Sequence, residues 1–175
     1  MYQSGDLIVY GSTGVCRVEG TKQMQKVREP GTALYYILRP LFRNGVIYCP
    51  VDHPKVFIRP LISEEEARQL MAEAEFPERS VFCGQSPREL AEKERASLES
   101  HNCRTLLKLV CALRAKQKMQ QAQHKRLGQT DERFLTRGEE LLYGELSVAL
   151  NITPEEVKQK LKAQIEAAEK EDYDA

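Results

Sequence analysis

The chain has 175 residues, 41 % of them hydrophobic, and its 26 Lys and Arg side chains balance 26 Asp and Glu side chains. This length suits one large domain or two small ones, and no apolar run approaches the roughly 20 residues that span a bilayer. Residues 1–18 lack the basic start and the apolar run of a signal peptide. Five cysteines without a Cys-x-x-Cys pair suit reduced thiols. These features predict a cytoplasmic protein with no membrane contact.

The zero net charge conceals a segregation of charge along the chain. Residues 1–62 hold eight Lys or Arg against four Asp or Glu, and residues 63–80 hold two against six. Residues 81–137 hold twelve against six, and residues 138–175 hold four against ten. Two basic blocks separated by an acidic connector predict two working surfaces, followed by an acidic tail.

The first sixty residues carry the pattern of short β-strands. Five runs are rich in β-branched and aromatic residues, and they cover residues 7–10, 14–18, 35–38, 46–49 and 56–58. Turn-forming residues separate these runs, and Asn44-Gly45 is a strong hairpin signal. About five short strands in sixty residues predict a small Tudor- or SH3-like β-barrel over residues 1–62.

From Ile62 onward the pattern is helical. Capping-box sequences at residues 63–66 and 153–156 predict two helix starts, and Ser86-Pro87 predicts another. Thr130 is expected to cap a further helix, whose buried face comprises Leu135, Leu142, Leu146, Ala149 and Leu150. The predicted fold class is therefore α+β, with the barrel, an acidic helix and linker over residues 63–85, and an all-α domain over residues 86–175.

The stretch from residue 100 to residue 130 contains no acidic side chain. Its apolar residues at helical spacing are Leu106, Leu109, Val110 and Leu113, and its basic residues on the opposite side are Arg104, Lys108, Arg114 and Lys118. The spacing predicts an amphipathic helix with a basic outer face. Such a face suits an anionic partner, most commonly nucleic-acid phosphate. Charge alone leaves open the alternative that acidic residues elsewhere in the fold are its partners.

Catalytic and metal-binding patterns are sparse in this chain. The sequence has three histidines, and His101-Asn102-Cys103 has no second Cys/His pair at ligand spacing. It contains neither a phosphate loop nor a Gly-x-Gly-x-x-Gly motif. Paired acids such as Glu139-Glu140 lie on predicted helix faces. We therefore expect a protein that is not an enzyme and that requires no metal or cofactor.

Three groups of segments resemble, in order, the CarD family of bacterial transcription regulators. The first is Gly5-Asp6-Leu7-Ile8-Val9-Tyr10 with Gly14-Val15 and Val18-Glu19. The second is Tyr35-Tyr36-Ile37-Leu38-Arg39-Pro40-Leu41 with Ile47-Tyr48-Cys49-Pro50-Val51-Asp52. The third is Thr130-Asp131-Glu132-Arg133 with Arg137-Gly138-Glu139-Glu140-Leu141-Leu142-Tyr143-Gly144-Glu145-Leu146 and the following Ser147-Val148-Ala149-Leu150.

This resemblance implies that the two domains bind different partners. The barrel would bind the lobe of the RNA polymerase β subunit, and the helical domain would contact promoter DNA at the upstream edge of the transcription bubble. Together they would stabilise the open complex. The barrel is also similar to the polymerase-interacting module of transcription-repair coupling factor, but that protein is far longer and carries a helicase motor.

The resemblance also implies which residues contact each partner. The polymerase-facing surface would include Lys26, Arg28, Arg43, Val46 and Tyr48, whereas Ile47 is expected in the core. The DNA-binding residues would be Arg88, Lys93, Arg95, Arg104, Lys108, Arg114, Lys116, Lys118, Arg133 and Arg137, with Phe82 added as a wedge. These cations would contact phosphates and read shape and position, with little reading of bases.

The chain departs from the family pattern at two places. Gly11-Ser12-Thr13 stands where the family usually has a Pro and a His, and the chain has no Trp. Known members use a Trp as a wedge at the bubble edge, and Phe82 is the nearest candidate by position. The alternative is that Phe82 packs beneath the linker.

The sequence thus predicts a monomeric, two-domain transcription regulator that tethers to RNA polymerase and stabilises melted promoter DNA. A rival hypothesis from another class is a protein-interaction adaptor that does not bind DNA. In that hypothesis the basic helix would pair with the acidic tail of a second copy. Steep salt dependence of promoter binding favours the regulator, and dimerisation without DNA binding favours the adaptor.

Overall fold

The computed structural model describes residues 1–25, 30–52, 54–74 and 86–173, with side chains described as far as residue 167. The chain divides into two compact units, Met1–Leu61 and Ile62–Ala175. The first unit is built from strands and the second from helices, so the predicted α+β class is confirmed. Within the described ranges, no helix combines the length and the hydropathy needed to cross a membrane.

The described residues of the N-terminal unit form an antiparallel sheet of five strands. These are β1 (Leu7–Tyr10), β2 (Gly14–Gln25), β3 (Thr32–Pro40), β4 (Ile47–Pro50) and β5 (Ile58–Pro60), with a 3₁₀ turn at Gly11–Thr13. Their order in the sheet is β4-β3-β2-β1-β5. Among the described strands no ladder joins β4 to β5. The five predicted strands are therefore present, but the closed barrel is not confirmed.

One face of this sheet forms the core of the unit. Successive side chains in a strand point to opposite faces, so residues two apart, such as Cys16 and Val18 or Tyr36 and Leu38, share this face. The buried cluster contains Ile8, Cys16, Val18, Tyr36, Leu38 and Cys49. Val18 pairs with Leu38 across the β2–β3 ladder, and a bulge follows between Val18 and Gly20. Beyond the bulge, β2 is largely exposed.

Gly11 is required by the turn that joins β1 to β2. Its φ of 43° lies in the left-handed region, and a Cβ added there would lie 2.4 Å from Cγ1 of Val56. Its N–H donates to the carbonyl oxygen of Phe57 at 2.8 Å. A glycine supplies both the backbone conformation and the space that this turn requires.

The described part of the second unit contains five helices. They are α1 (Glu64–Ala72), α2 (Pro87–Glu99), α3 (Cys103–Ala122), α4 (Gln129–Leu150) and α5 (Pro154–Tyr173). Ser63 and Ser86 each form a complete capping box, with Glu66 and Glu89 respectively. Thr153 and Glu156 exchange the same pair of hydrogen bonds before α5. These reciprocal bonds satisfy N–H groups that a first helical turn leaves unpaired, and the three predicted starts are confirmed.

The expected cap at Thr130 is wrong by two residues. The residue that precedes α4 is Gly128, which makes no side-chain cap bond, and Thr130 lies inside the first turn. Glycine is acceptable at this position because its backbone adopts the extended conformation that a helix entry requires. The predicted buried face of α4 is correct, since Leu135, Leu142 and Leu146 are buried. Ala149 and Leu150 pack against the same core.

Helix α3 lies at the centre of the helical unit, contrary to the expectation of one wholly basic outer face. The predicted residues Leu106, Leu109, Val110 and Leu113 are buried, and so are Cys103, Leu107, Cys111 and Ala115. Burial extends around the helix because α2 and α4 both pack against it. Arg104, Lys108 and Lys118 are exposed, whereas Arg114 and Lys116 are half-buried, so the basic residues of α3 do not form one uniformly exposed face.

Helix α1 belongs to the helical core, although the sequence suggested a separate acidic connector. Ala67, Leu70 and Ala74 are buried in the same cluster as residues of α3, α4 and α5. Glu64, Glu65 and Glu66 are exposed. The i, i+3 spacing of Ala67 and Leu70 places an apolar stripe on the inner side, while the acids occupy the first turn, where they favour the helix dipole.

Four cysteines of the described part of the chain are buried thiols outside any disulfide bond. Cys16 lies in the core of the sheet, and Cys111 lies on α3. Burial raises the pKa of each of these two thiols to about 11, because a thiolate is poorly solvated in an apolar environment.

Candidate functional site

The end of β3, the following turn and β4 expose three large apolar side chains. Phe42 is 51 % exposed, Val46 is 41 % exposed and Tyr48 is 48 % exposed. Ile47 packs against the core, and Cys49 is buried. This alternation places Tyr48 on the outer face, because neighbouring strand residues point to opposite sides. We call Phe42, Val46 and Tyr48 the β4 patch.

The β4 patch lies at an edge of the sheet. One side of β4 pairs with β3, with Leu38 opposite Ile47 and Ile37 opposite Tyr48. Within the described residues its other side has no strand partner. An edge strand with unpaired backbone groups and exposed apolar side chains can accept a strand from another protein. The geometry therefore suits strand addition.

The predicted partner-binding residues are distributed as follows. Val46 and Tyr48 belong to the β4 patch, and Arg43 is exposed in the turn that precedes them. Lys26 and Arg28 lie outside the described residues. Sequence reasoning missed Phe42, although a large apolar residue beside the Arg43-Asn44-Gly45 turn was an available signal.

Three predicted DNA-binding residues of α3 have acidic partners on other helices or segments of the unit. Arg104 pairs with Glu73, and Lys116 pairs with Asp131 at 2.5 Å. Arg114 donates from Nε to Glu139 at 2.6 Å. The alternative that charge alone left open, acidic partners elsewhere in the fold, therefore applies to these three cations.

The Arg114 contact is part of a larger hydrogen-bond network. Nη1 of Arg114 also donates to Gln117 at 3.0 Å, and the hydroxyl of Tyr143 donates to Glu139 at 3.1 Å. Burial, reinforced by the charge of Glu139, raises the pKa of Tyr143 above its ordinary value. Arg114 is thus held in the α3–α4 interface, where its hydrogen bonds stabilise the packing of two helices.

A second enclosed group lies where α2, α3 and α4 meet. Glu94 is only 5 % exposed, and its Oε2 has no hydrogen-bond partner within the described structure. Burial, together with the nearby charge of Asp131, raises its pKa to about 7, although Lys116 opposes the shift. The Lys116–Asp131 pair therefore sits beside a carboxyl group that is expensive to ionise.

Three predicted DNA-binding residues meet in one cleft between α2 and α4. Arg95, Arg133 and Arg137 line this cleft of about 870 Å³ together with Phe134. Arg95 and Arg133 are exposed, and Arg137 pairs with Glu140 at 2.5 Å. The wall also contains Glu132. We call this feature the arginine cleft.

The arginine cleft could not be located from sequence spacing, because its residues come from helices that are distant in the chain. Arginine is suited to phosphate because its planar guanidinium donates two parallel hydrogen bonds. The sequence argument also overlooked Phe134, the aromatic residue next to Arg133. Phe134 is half-buried and packs against the helical core, so its ring supports the cleft wall.

The remaining predicted DNA-binding residues lie apart from this cleft. Arg88 pairs with Glu92 at 3.4 Å on the surface of α2. Lys93, Lys108 and Lys118 are exposed. Phe82 lies outside the described residues, so its proposed role as a wedge stays a prediction.

A small antiparallel sheet with an exposed apolar edge is typical of protein-interaction domains. Comparison with known families specifies the class. Residues 2–62 match the family model described as the CarD-like/TRCF RID domain. The N-terminal unit is therefore a CarD-like RNA polymerase-interacting domain, as the sequence resemblance predicted. A search of curated proteins found no match to the chain.

Proposed function

We propose that the protein is a transcription regulator that binds the RNA polymerase β subunit and contacts promoter DNA at the upstream edge of the transcription bubble. The observation that carries this proposal is the family match over residues 2–62. Binding at both places would stabilise the open complex. In this proposal the protein acts as a monomer by binding alone and needs no metal or cofactor.

The N-terminal sheet serves as the Tudor-like module of this arrangement. Its exposed β4 edge offers backbone hydrogen bonds to a strand of the β subunit, and the β4 patch offers apolar contacts. Aromatic residues at the centre of an interface commonly contribute the largest share of binding energy. Tyr48 is therefore the residue whose loss should weaken polymerase binding most.

Replacing Tyr48 with alanine is expected to weaken binding to the polymerase β subunit by about tenfold or more, as for an interface hot spot. The control is Phe57→Ala, because Phe57 is 50 % exposed but precedes β5 at the opposite edge of the sheet. Binding would be measured by titrating labelled polymerase with each variant. An equal loss for Phe57→Ala would show that β4 is not the docking edge.

The arginine cleft supplies the DNA contacts in this proposal. Arg95, Arg133 and Arg137 would bind successive phosphates, which fixes position without reading bases. Binding to isolated DNA should be weak and salt-sensitive, because few phosphates are neutralised. Tethering to polymerase raises the effective concentration of the cleft near the promoter. The positive charges of Lys93, Lys108 and Lys118 would add long-range electrostatic attraction to the DNA.

Reversing charge in the arginine cleft is expected to shorten open-complex lifetime by about fivefold or more, since each lost phosphate contact is replaced by repulsion. The variant is Arg95→Glu with Arg133→Glu, tested with bacterial RNA polymerase on a ribosomal RNA promoter. The control, Lys125→Glu with Lys160→Glu, makes the same change of net charge at exposed positions outside the cleft.

The control separates a localised contact from general attraction. Equal shortening by both double variants would reject the cleft as the DNA site. A wild-type protein that leaves the lifetime unchanged and fails to retain the β subunit would reject the whole proposal. The rival adaptor hypothesis has less support, because Arg104, Arg114 and Lys116 already pair with acids of their own chain.

A further inference from the structure

A cavity of about 390 Å³ lies between α3, α4 and α5, and its lining shares no residue with the arginine cleft or the β4 patch. Its apolar lining includes Leu107, Val110 and Leu161, which belong to the helical core, and the half-buried Ile165. Ligand pockets typically have volumes of about 300–1,000 Å³ and mostly apolar walls. This cavity is therefore large enough for the body of a small organic molecule.

The rim of the cavity is cationic. Among the described side chains, the lining contains Arg114, Lys118, Lys158 and Lys162, against one acid, Glu166. Lys158, Lys162 and Lys118 are exposed, so the rim opens to solvent. Arg114 is already occupied by Glu139 and Gln117. The lysines therefore set the charge that an incoming group would meet.

Lys158 and Lys162 are the two cations best placed to exchange partners. They stand four residues apart on α5 and therefore share one face of the helix. Lys158 is 3.9 Å from Glu155, and Lys162 is 3.8 Å from Glu166. Both ion pairs are exposed and at the outer limit of contact, so they contribute little to stability and are readily replaced.

We propose that this cavity binds a small amphipathic anion. The apolar body would contact Leu107, Leu161 and Ile165, and the carboxylate, sulfonate or phosphate head would lie between Lys158 and Lys162. Nucleic-acid phosphate would use the cations but leave the apolar floor in water. Burying that floor against a ligand is favourable because it removes apolar surface from water.

The test uses 8-anilinonaphthalene-1-sulfonate and its uncharged analogue N-phenyl-1-naphthylamine, which share an aromatic body but differ in the anionic head. The full-length chain is expected to bind one sulfonate probe saturably. Lys158→Ala with Lys162→Ala should lower the affinity for the sulfonate probe by about fivefold or more and leave the affinity for the neutral analogue unchanged. Only the sulfonate head group loses its binding partners in this variant. Lys125→Ala with Lys160→Ala should change neither affinity.

A second pair of variants tests the apolar floor. Ile165→Phe should reduce binding of both probes by filling the cavity, whereas Ala167→Phe, at an exposed position outside it, should not. Circular dichroism of each variant checks that the helices are retained. Unsaturable binding, equal losses in the two lysine pairs, or association only with phosphatidylglycerol vesicles would overturn the proposal. None of these readouts involves polymerase or DNA, so the proposed function is tested separately.

Discussion

Replacing Gly138 with leucine is expected to lower the free energy of unfolding of the helical unit by about 3 kcal/mol, the upper range for overpacking a core. Gly138 is buried on α4, and a Cβ there would lie 3.2 Å from Cγ2 of Val110. The same Cβ would lie 3.7 Å from Leu109 and 3.8 Å from Leu98. Three helices thus meet at this glycine, and a leucine side chain would force them apart.

Alanine at this position separates helix propensity from crowding. Gly138→Ala gains about 1 kcal/mol of helix propensity. Its Cβ would be crowded against Val110, which opposes this gain, so the free energy of unfolding should change little. The exposed Thr136→Leu is the control for adding a leucine to α4. Urea unfolding followed by circular dichroism at 222 nm measures all three. If Gly138→Leu unfolds at the wild-type midpoint, the three-helix contact does not limit stability.

Replacing Glu94 with glutamine is expected to raise the free energy of unfolding by about 3 kcal/mol at pH 8, and by about 1 kcal/mol or less at pH 5. The pKa of Glu94 is raised from its ordinary 4.5 to about 7. Between these values the folded state holds a proton that the unfolded state has released. Wild-type stability should therefore fall as the pH rises from about 4.5 to 7, because ionising the buried carboxyl group becomes a cost of folding.

The comparison of stability at pH 5, 6, 7 and 8 tests this linkage. Glutamine keeps the shape of the neutral carboxyl group and cannot ionise. The free energy of unfolding of the variant should therefore not decrease between pH 5 and pH 8 as that of the wild type does. Glu99→Gln is the matched control on α2, since Glu99 is exposed. Parallel pH curves for wild type and Glu94→Gln would contradict the prediction, whatever their absolute stabilities.

Local signals in the sequence located most elements of the fold. Strand composition found all five strands, and the Ser63, Ser86 and Thr153 capping patterns found three helix starts, because each signal depends on residues within one turn. Among the described strands, no ladder joins β4 to β5 to close the sheet. The number of strands alone could not predict this. Closure depends on pairing between β4 and β5, which no local pattern specifies.

The candidate site was predicted less well, for a physical reason. The partners of Arg104 and Arg114 lie 31 and 25 residues away in sequence, so a count of positive charges could not identify them. Helical periodicity on α3 assigned one buried side, whereas Leu107 and Cys111 show burial on another. The exposure of Tyr48 and the burial of its neighbour Cys49 follow the alternation of side chains along a strand, which is a local pattern. The arginine cleft required knowledge of how α2 and α4 pack.

The buried thiols allow the local unfolding of the two units to be monitored separately. Alkylating reagents attack thiolates, and the raised pKa and burial of Cys16 and Cys111 leave almost none available in the folded state. Modification of either residue must therefore wait until its surroundings open. Since Cys16 lies in the sheet and Cys111 in the helical core, the rate of modification at each sulfur reports the opening of its own unit. Wild-type protein thus carries a separate natural probe of local unfolding in each unit.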